Sequence, residues 1–349
     1  MTVKGTCLYV IIPILLALIC FLLLFLPTKV VELDEAFGQN LVVGISDINL
    51  SDKTKEILNH IKPSGIVLYR RNYEDDDQFK KLIEELQESV VIKYFIMLDE
   101  EPDGAERIGR LKNVFSLGLP DWKEIEADIQ EIASLGINVE LAPVSDFPFD
   151  DNSFMKRRVP ADTVDDLKAF NKTFIELLNE NNMIATLKHF PGLGVFVEDP
   201  HTGLPNLYVE EKVFNESLNI FNSGIDNGAK MVMTGHAIYK NIDSNNLSTT
   251  SSEIIDLLDN FDGLIVTDDL MDMLLTVDDI NLEDTGLKAL EAGHNLIMFS
   301  HRLEDVQVLF DKMIEEIKND KKLEKIVRKN YWKIIKFKKE NLINKFNNF

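Results

Sequence analysis

Cysteine is nearly absent from this sequence. Of 349 residues only Cys7 and Cys20 are cysteines, and both lie in or beside an apolar N-terminal run. None remains in the following body for a disulfide, a thiolate nucleophile or a zinc site. Histidine is sparse too, six in all, with no H-x-H or C-x-x-C pair. A metal-dependent barrel hydrolase built on His189, His201, His236 and Asp268 therefore lacks the closely fixed ligand set that such sites demand, and neither a metal nor a cofactor is expected. Positive charge is short as well: 37 Lys and Arg face 59 Asp and Glu, for a net charge of −22. Such a surface repels a polyanion, which argues against a nucleic-acid partner and for an uncharged substrate. Linkers are missing. No stretch rich in Pro, Gly or Ser divides the chain, so residues 31–349 are expected to form one domain.

There is a single long apolar run, from Leu8 to Leu26, broken only by Pro13 and preceded by Lys4. At ~1.5 Å per residue, about 20 helical residues cross the hydrocarbon core of a bilayer. The run exceeds the roughly 7–15 apolar residues of a cleaved signal peptide and carries no A-x-A site. The stretch Ala17-Leu18-Ile19-Cys20 is a poor lipoprotein box. Residues 1–30 are therefore predicted to be a transmembrane signal anchor, with the body extracytoplasmic; secretion after cleavage is the alternative. Lys4 and the free amine favour an inside N-terminus, and Lys29 partly cancels that bias.

After the run the sequence repeats a short β-branched apolar segment, polar residues and a helical pattern, the rhythm of parallel strands joined by crossover helices. Eight segments qualify as strands: Leu41–Ile45, Gly65–Tyr69, Tyr94–Leu98, Asn138–Leu141, Ile184–Leu187, Met231–Thr234, Gly263–Val266 and Asn295–Phe299. The predicted architecture is a (β/α)8 barrel. Ser51 can cap a helix over 53–61, and Leu135-Gly136 closes the helix before the fourth strand. From Lys321 onward the charge balance reverses, and Leu323, Ile326, Val327, Tyr331 and Ile334 recur at helical spacing. That pattern reads as a last helix packed on the barrel with a solvated basic face, or as one that meets anionic lipid.

Barrel chemistry sits at the carboxyl ends of the strands. Asp99 follows the third strand, Asp146 the fourth, Lys188 and His189 end the fifth, His236 ends the sixth and Asp268 the seventh. Any one of these could be a helix cap or turn residue. Together they place polar side chains at one end of five strands, more than solubility requires. In Lys188-His189-Phe190-Pro191-Gly192-Leu193-Gly194, two glycines and a proline make a shaped turn. In the next loop, Asp199 lies two residues from His201, and a carboxylate beside an imidazole suits proton transfer near neutral pH. Without other segments, a turn cap and an exposed histidine would explain that pair equally well.

The paired K-H-F-P-G-x-G and D-x-H-x-x-L-P stretches, with Gly263-Leu264-Ile265-Val266-Thr267-Asp268-Asp269-Leu270-Met271, resemble family 3 glycoside hydrolases of the bacterial β-N-acetylglucosaminidase type. Gly65–Asn72, Val232–His236 and Leu290–Asn295 agree with that resemblance, which covers nearly the whole body. It implies a retaining enzyme that removes terminal β-linked N-acetylglucosamine, from peptidoglycan-derived or related glycans. It also implies Asp268 as nucleophile, His201 as acid/base and Asp199 as the carboxylate orienting it. Asp99, Arg110, Arg157, Lys188 and His189 match the residues that hold the sugar. Asp269 is a poor rival to Asp268, because neighbouring residues leaving a strand point to opposite sides.

Three departures bear on the saccharide or aglycone accepted. The family's D-Q-E-G-G-R run becomes Asp99-Glu100-Glu101-Pro102-Asp103-Gly104-Ala105-Glu106-Arg107, with an insertion and no paired glycines. Leu193 stands where a histidine is common, and Arg158-Val159 replaces a small-aromatic pair. Other readings remain open at this point: a phosphorylase, another family 3 glycosidase such as a β-glucosidase, or a non-catalytic sugar-binding barrel.

Overall fold

The computed structural model describes residues 31–102, 104–112, 120–159, 161–197, 204–271 and 280–342. Leu33–Phe349 forms one compact unit. The predicted anchor, residues 1–30, lies outside the described residues, as do Asp199 and His201. Among the described residues no helix is long and apolar enough to cross a membrane.

Eight parallel strands form the sheet: β1 Leu41–Gly44, β2 Gly65–Leu68, β3 Phe95–Leu98, β4 Val139–Glu140, β5 Ile184–Phe190, β6 Met231–Thr234, β7 Leu264–Thr267 and β8 Ile297–Phe299. They pair in chain order, and β8 returns to β1 through Leu41↔Ile297 and Val43↔Phe299. The last seam, between β7 and β8, closes through a Val266–Leu296 bridge. The result is a parallel near-barrel with helices outside, consistent with the (β/α)8 expectation. β1, β2 and β3 are covered on both faces, so they read as unbroken apolar runs instead of alternating ones.

The helices are α1 Leu33–Gly38, α2 Asp52–Ile61, α3 Asp76–Glu88, α4 Trp122–Ser134, α5 Val164–Glu180, α6 Glu211–Asp226, α7 Ser252–Ile255, α8 Leu282–Ala292, α9 Leu303–Asn319 and α10 Lys321–Asn341. Most begin where a short polar side chain accepts from an otherwise unpaired N–H of the first turn. Ser51 accepts from Thr54 N, Asp121 from Lys123 N, Thr163 from Asp166 N and Asp320 from Lys322 N. Leu135 ends α4, and Gly136 takes the positive φ of +99° that reverses the chain there.

Strand bounds shift where side chains replace ladder bonds. β4 is shorter than predicted because Asn138 uses its amide to accept from Ile96 N (3.0 Å) and donate to Tyr94 O (3.2 Å). β5 is longer, continuing through Lys188 and His189 to Phe190, which pairs with Thr234 after a register shift. The apolar pattern stops at Leu187 because the next two residues are polar.

Inward-facing residues Val42, Val67, Phe95, Met97, Val139, Ile184, Met231, Met233, Leu264, Val266 and Met298 fill the barrel. α10 closes the end at which the strands begin. Its Ile334 and Phe337, with Leu342 just beyond it, join that core, and Phe337 meets Phe95 edge-on at 5.9 Å. Burial drives Lys338 on the same face well below the ordinary lysine pKa, and its ammonium nitrogen donates to Ser64 O at 2.7 Å. The opposite end of the barrel is left to the polar residues that follow the strands.

Candidate active site

Asp268 follows the last residue of β7, and its backbone N–H donates to Thr234 O (2.9 Å), continuing the β6 ladder by one step. Its carboxylate is partly exposed at the mouth. Oδ1 accepts from Asp269 N (2.8 Å), and Oδ2 lies 3.8 Å from His189 Nε2. Burial pushes its pKa up, but His189, His236, the Asp269 N–H and Lys188 outweigh burial and hold it below the usual aspartate value. An anionic carboxylate at an open mouth is suited to attack an electrophilic carbon.

His189 is held from behind. Buried Asp146 accepts from His189 Nδ1 (2.7 Å), from His189 N (2.9 Å) and from Leu193 N (2.6 Å). An ionised carboxylate can only accept, so Nδ1 carries the proton and Nε2 faces Asp268. The K-H-F-P-G-x-G turn makes this possible. Gly192 has φ +124°, and a Cβ at Gly194 would overlap the Phe147 carbonyl. The glycines thus seat the turn on the loop that carries Asp146. Leu193 contributes its backbone N–H, so the missing family histidine leaves that contact intact.

Beside this pair, buried Lys188 donates to Asp99 Oδ1 and lies 2.7 Å from Glu101 Oε1. Burial lowers the lysine pKa, and the two carboxylates reverse that and hold it above the ordinary value. Arg158 grips Glu101 with two bonds, Nε to Oε2 (3.0 Å) and Nη2 to Oε1 (2.5 Å). Arg107 Nη2 donates to Asp99 Oδ2 at 2.5 Å and stacks over the Tyr69 ring, 5.2 Å from its centroid. Three cations and two carboxylates therefore form a fixed lattice in which Asp99 keeps partial exposure.

Two acids near the mouth are committed to structure. Asp269 accepts from Ser300 Oγ, Ser300 N (3.1 Å) and Met271 N (3.0 Å), and Ser300 in turn accepts from Tyr69 OH (2.8 Å). It tethers β7 to β8, and its side chain is 6% exposed, against 22% for that of Asp268. Glu100 accepts from the N–H groups of Arg107, Ile108 and Arg110 and so shapes the inserted loop.

Of the residues singled out from sequence, Asp268, His189, Lys188 and Asp99 come together. Arg110 and Arg157 do not join them. Arg110 pairs with Asp76 (2.9 Å) and Glu131 (2.6 Å) on the outside of the loop, and Arg157 is exposed. In each case an arginine nearby in sequence enters the lattice instead, Arg107 and Arg158. Glu100 holds the loop after Asp99 through the loop's backbone N–H groups, and Arg158 turns inward to pair with the buried Glu101. His236 is buried behind Asp268 with Nδ1 against Thr249 Oγ1 (2.5 Å). The Leu290–Asn295 stretch is structural: Asn295 Oδ1 accepts from Ile265 N (3.0 Å) and His294 O accepts from Asn330 Nδ2 (2.8 Å).

Comparison with known proteins gives the chain a family. The chain is 26% identical over 296 residues to a beta-hexosaminidase of Haemophilus influenzae, covering 78% of this chain and 83% of that protein. It is 28% identical over 291 residues to a beta-hexosaminidase of Glaesserella parasuis, covering 78% and 84%. Among solved structures, a beta-N-acetylhexosaminidase of Beutenbergia cavernae superposes with a TM-score of 0.79 at 24% identity, covering 88% of this chain and 99% of that one. A family 3 beta-N-acetylglucosaminidase of a Paenibacillus species gives a TM-score of 0.81 at 24% identity, covering 90% of this chain and 63% of that one. The family model for the N-terminal domain of glycosyl hydrolase family 3 matches residues 29–336, and the chain belongs to that family.

Proposed function

We propose that this protein is a retaining β-N-acetylhexosaminidase that releases terminal β-linked N-acetylglucosamine from peptidoglycan-derived or related glycans. The observation that carries the reading is the anionic Asp268 at the barrel mouth, flanked by the Asp146–His189 pair and the Lys188–Asp99 lattice. The family and the relatives named as beta-hexosaminidases support the substrate class.

In the first step an Asp268 oxygen attacks the anomeric carbon. The bond to the leaving oxygen breaks with its electron pair, and His201 gives that oxygen a proton. The product is a glycosyl ester on Asp268. In the second step His201 takes a proton from water, the resulting hydroxide oxygen attacks the same carbon, and Asp268 leaves as carboxylate. Asp199 orients the imidazole. His189, aligned by Asp146, and Lys188 with Asp99 offer donors and acceptors to sugar hydroxyls, and Arg107 and Arg158 hold that set in place. Fixing these groups before substrate arrives lowers the reorganisation needed at the transition state.

The apolar run over residues 8–26 supports a membrane-anchored protein with residues 31–349 as its catalytic domain. Extraction of the full-length protein by detergent but not by alkaline carbonate is the expected result. For the activity, the purified protein is assayed on aryl β-N-acetylglucosaminide and aryl β-glucoside, each with and without inorganic phosphate. Hydrolysis confined to the N-acetylated sugar is expected. Faster turnover of the glucoside, or sugar 1-phosphate as the main product, would overturn the assignment.

A further inference from the structure

We infer that the outward face of α10 docks on an anionic lipid surface. The chain is acidic overall, at −22, yet α10 carries nine Lys and Arg against two Glu. At 100° per residue its buried side chains Leu323, Val327, Tyr331, Ile334 and Phe337 share one face. Lys321, Lys325, Lys329, Lys336 and Lys339 form a stripe on the opposite face and are exposed. In the middle of that stripe stands Trp332, 58% exposed, its ring edge-on to Tyr331 at 5.0 Å.

A lysine stripe with a tryptophan at its centre is the composition of a helix that lies at a bilayer interface, where the indole sits at headgroup level and the ammonium groups meet lipid phosphates. Acidic neighbours temper the stripe without covering it. Glu324 is bonded to Arg328 (2.9 Å), Glu291 to Lys322 (2.8 Å), and Glu340 lies 3.9 Å from Lys336. Outside α10 the chain holds far more Asp and Glu than Lys and Arg, so the basic face of α10 is favoured to approach an anionic leaflet. α10 closes the end of the barrel opposite Asp268. Docking through it turns the mouth toward solvent, from which a soluble glycan fragment arrives.

The inference rests on the membrane reading of the apolar run, because one basic helix is a weak ligand for lipid unless the chain is already held at the surface. Full-length protein is reconstituted into vesicles of phosphatidylcholine alone or with about a quarter phosphatidylserine. A Trp122→Phe background leaves Trp332 as the sole indole, since the chain has two tryptophans. Flotation reports the anchor, and quenching of Trp332 by brominated lipid reports docking. Flotation with both vesicles is expected, with Trp332 quenched only when phosphatidylserine is present and released by high salt. Each lysine near an anionic surface contributes about fivefold, so Lys325→Gln/Lys329→Gln/Lys336→Gln should lower the docked-to-free ratio on the order of 100-fold. Turnover of aryl substrate should stay unchanged, which separates lost docking from lost folding. Equal quenching in both vesicles, an unaffected triple variant, or a Trp332 response to duplex DNA in place of vesicles overturns the docking. Quenching with phosphatidylserine but no flotation on phosphatidylcholine sustains docking and refutes the anchor.

Discussion

His189 Nε2 stands 3.8 Å from Asp268 Oδ2 while the other nitrogen of the same ring is held by Asp146 at 2.7 Å. The imidazole thus links a fully buried acceptor to a carboxylate that is open to the mouth. Asp269, one residue on, has its oxygens occupied by Ser300 and Met271.

Asp268→Asn should nearly abolish turnover and leave the fold intact, because an amide cannot form the glycosyl ester. Asp269→Asn should act on stability instead. It replaces an acceptor of Ser300 Oγ and Ser300 N, and losing part of a buried network costs about 1–3 kcal/mol. Urea unfolding and single-turnover kinetics on both variants separate the two. If Asp269→Asn were the dead enzyme and Asp268→Asn the unstable one, the nucleophile would be misplaced by one residue.

The arginines give a second pair of contrasts. Arg107→Ala leaves Asp99 with Lys188 as its cation and removes one of the two guanidinium groups over Tyr69, and Arg158→Ala leaves Glu101 buried with Lys188 as its cation. Both should reduce kcat/KM by at least about tenfold, the equivalent of ~1.4 kcal/mol of transition-state stabilisation. Arg110 is half-buried but paired with Asp76 and Glu131 away from the lattice, and Arg157 is exposed, so Arg110→Ala and Arg157→Ala should leave kcat/KM near that of the parent. An Arg110→Ala or Arg157→Ala defect equal to that of its inward neighbour would mean that the mouth rearranges on substrate binding.

This contrast also marks how far the sequence could be read. The eight strands were legible because parallel strands buried on both faces leave β-branched runs such as Leu41-Val42-Val43. Asp268, Lys188, His189 and Asp99 were legible because each directly follows or ends such a run. Arg107 and Arg158 were not. Which arginine of a loop turns inward is decided by the buried carboxylates it meets, and the insertion after Asp99 erased the spacing that would have shown it. The Tyr69–Ser300–Asp269 relay joins residues 231 and 31 positions apart, and no local pattern encodes such a contact. Asn138 and Asn295 shortened their strands because an asparagine side chain can replace a ladder bond, which hydropathy does not register.

Glu101 supplies the pH dependence. Burial raises its pKa, but Lys188 and Arg158 reverse that and hold it well below the ordinary value of 4.5. A carboxyl with a depressed folded pKa adds stability that is present above its unfolded pKa and lost as pH falls through the folded value. Unfolding free energy should therefore be steady near neutrality and fall on acidification below about 4.5. Glu101→Gln should flatten part of that acid limb and cost about 3–5 kcal/mol near neutrality, because it leaves Lys188 and Arg158 short of a buried counter-charge. The check is urea unfolding across an acid pH series for the parent and the variant. A variant with the same acid slope as the parent would remove Glu101 from this role.

The acid/base assignment has the most discriminating test, since loss of a general acid matters most when the leaving group needs a proton. General acid–base catalysis supplies ~10²–10⁴-fold, so His201→Ala should lose about that factor on natural sugar aglycones. A nitrophenolate leaves with little protonation. The same variant should therefore transfer the sugar to Asp268 much faster from activated aryl substrates, with hydrolysis of the glycosyl ester becoming limiting because water lacks its base. Asp199→Ala should share the pattern more weakly, because it orients the imidazole without moving the proton itself. The rival donors are the two acids after β3. Glu101 is held ionised between Lys188 and Arg158, and Glu100 accepts three backbone N–H groups. Burial raises the Glu100 pKa, but the side chain is fully buried and its oxygens are turned onto those loop N–H groups, so it does not present a proton to a leaving oxygen at the mouth. The measurement is turnover on a series of aryl β-N-acetylglucosaminides of graded leaving-group acidity, for the parent, His201→Ala and Asp199→Ala. A loss in His201→Ala that grows as the leaving group becomes less acidic sustains the assignment, and an equal loss across the series sinks it.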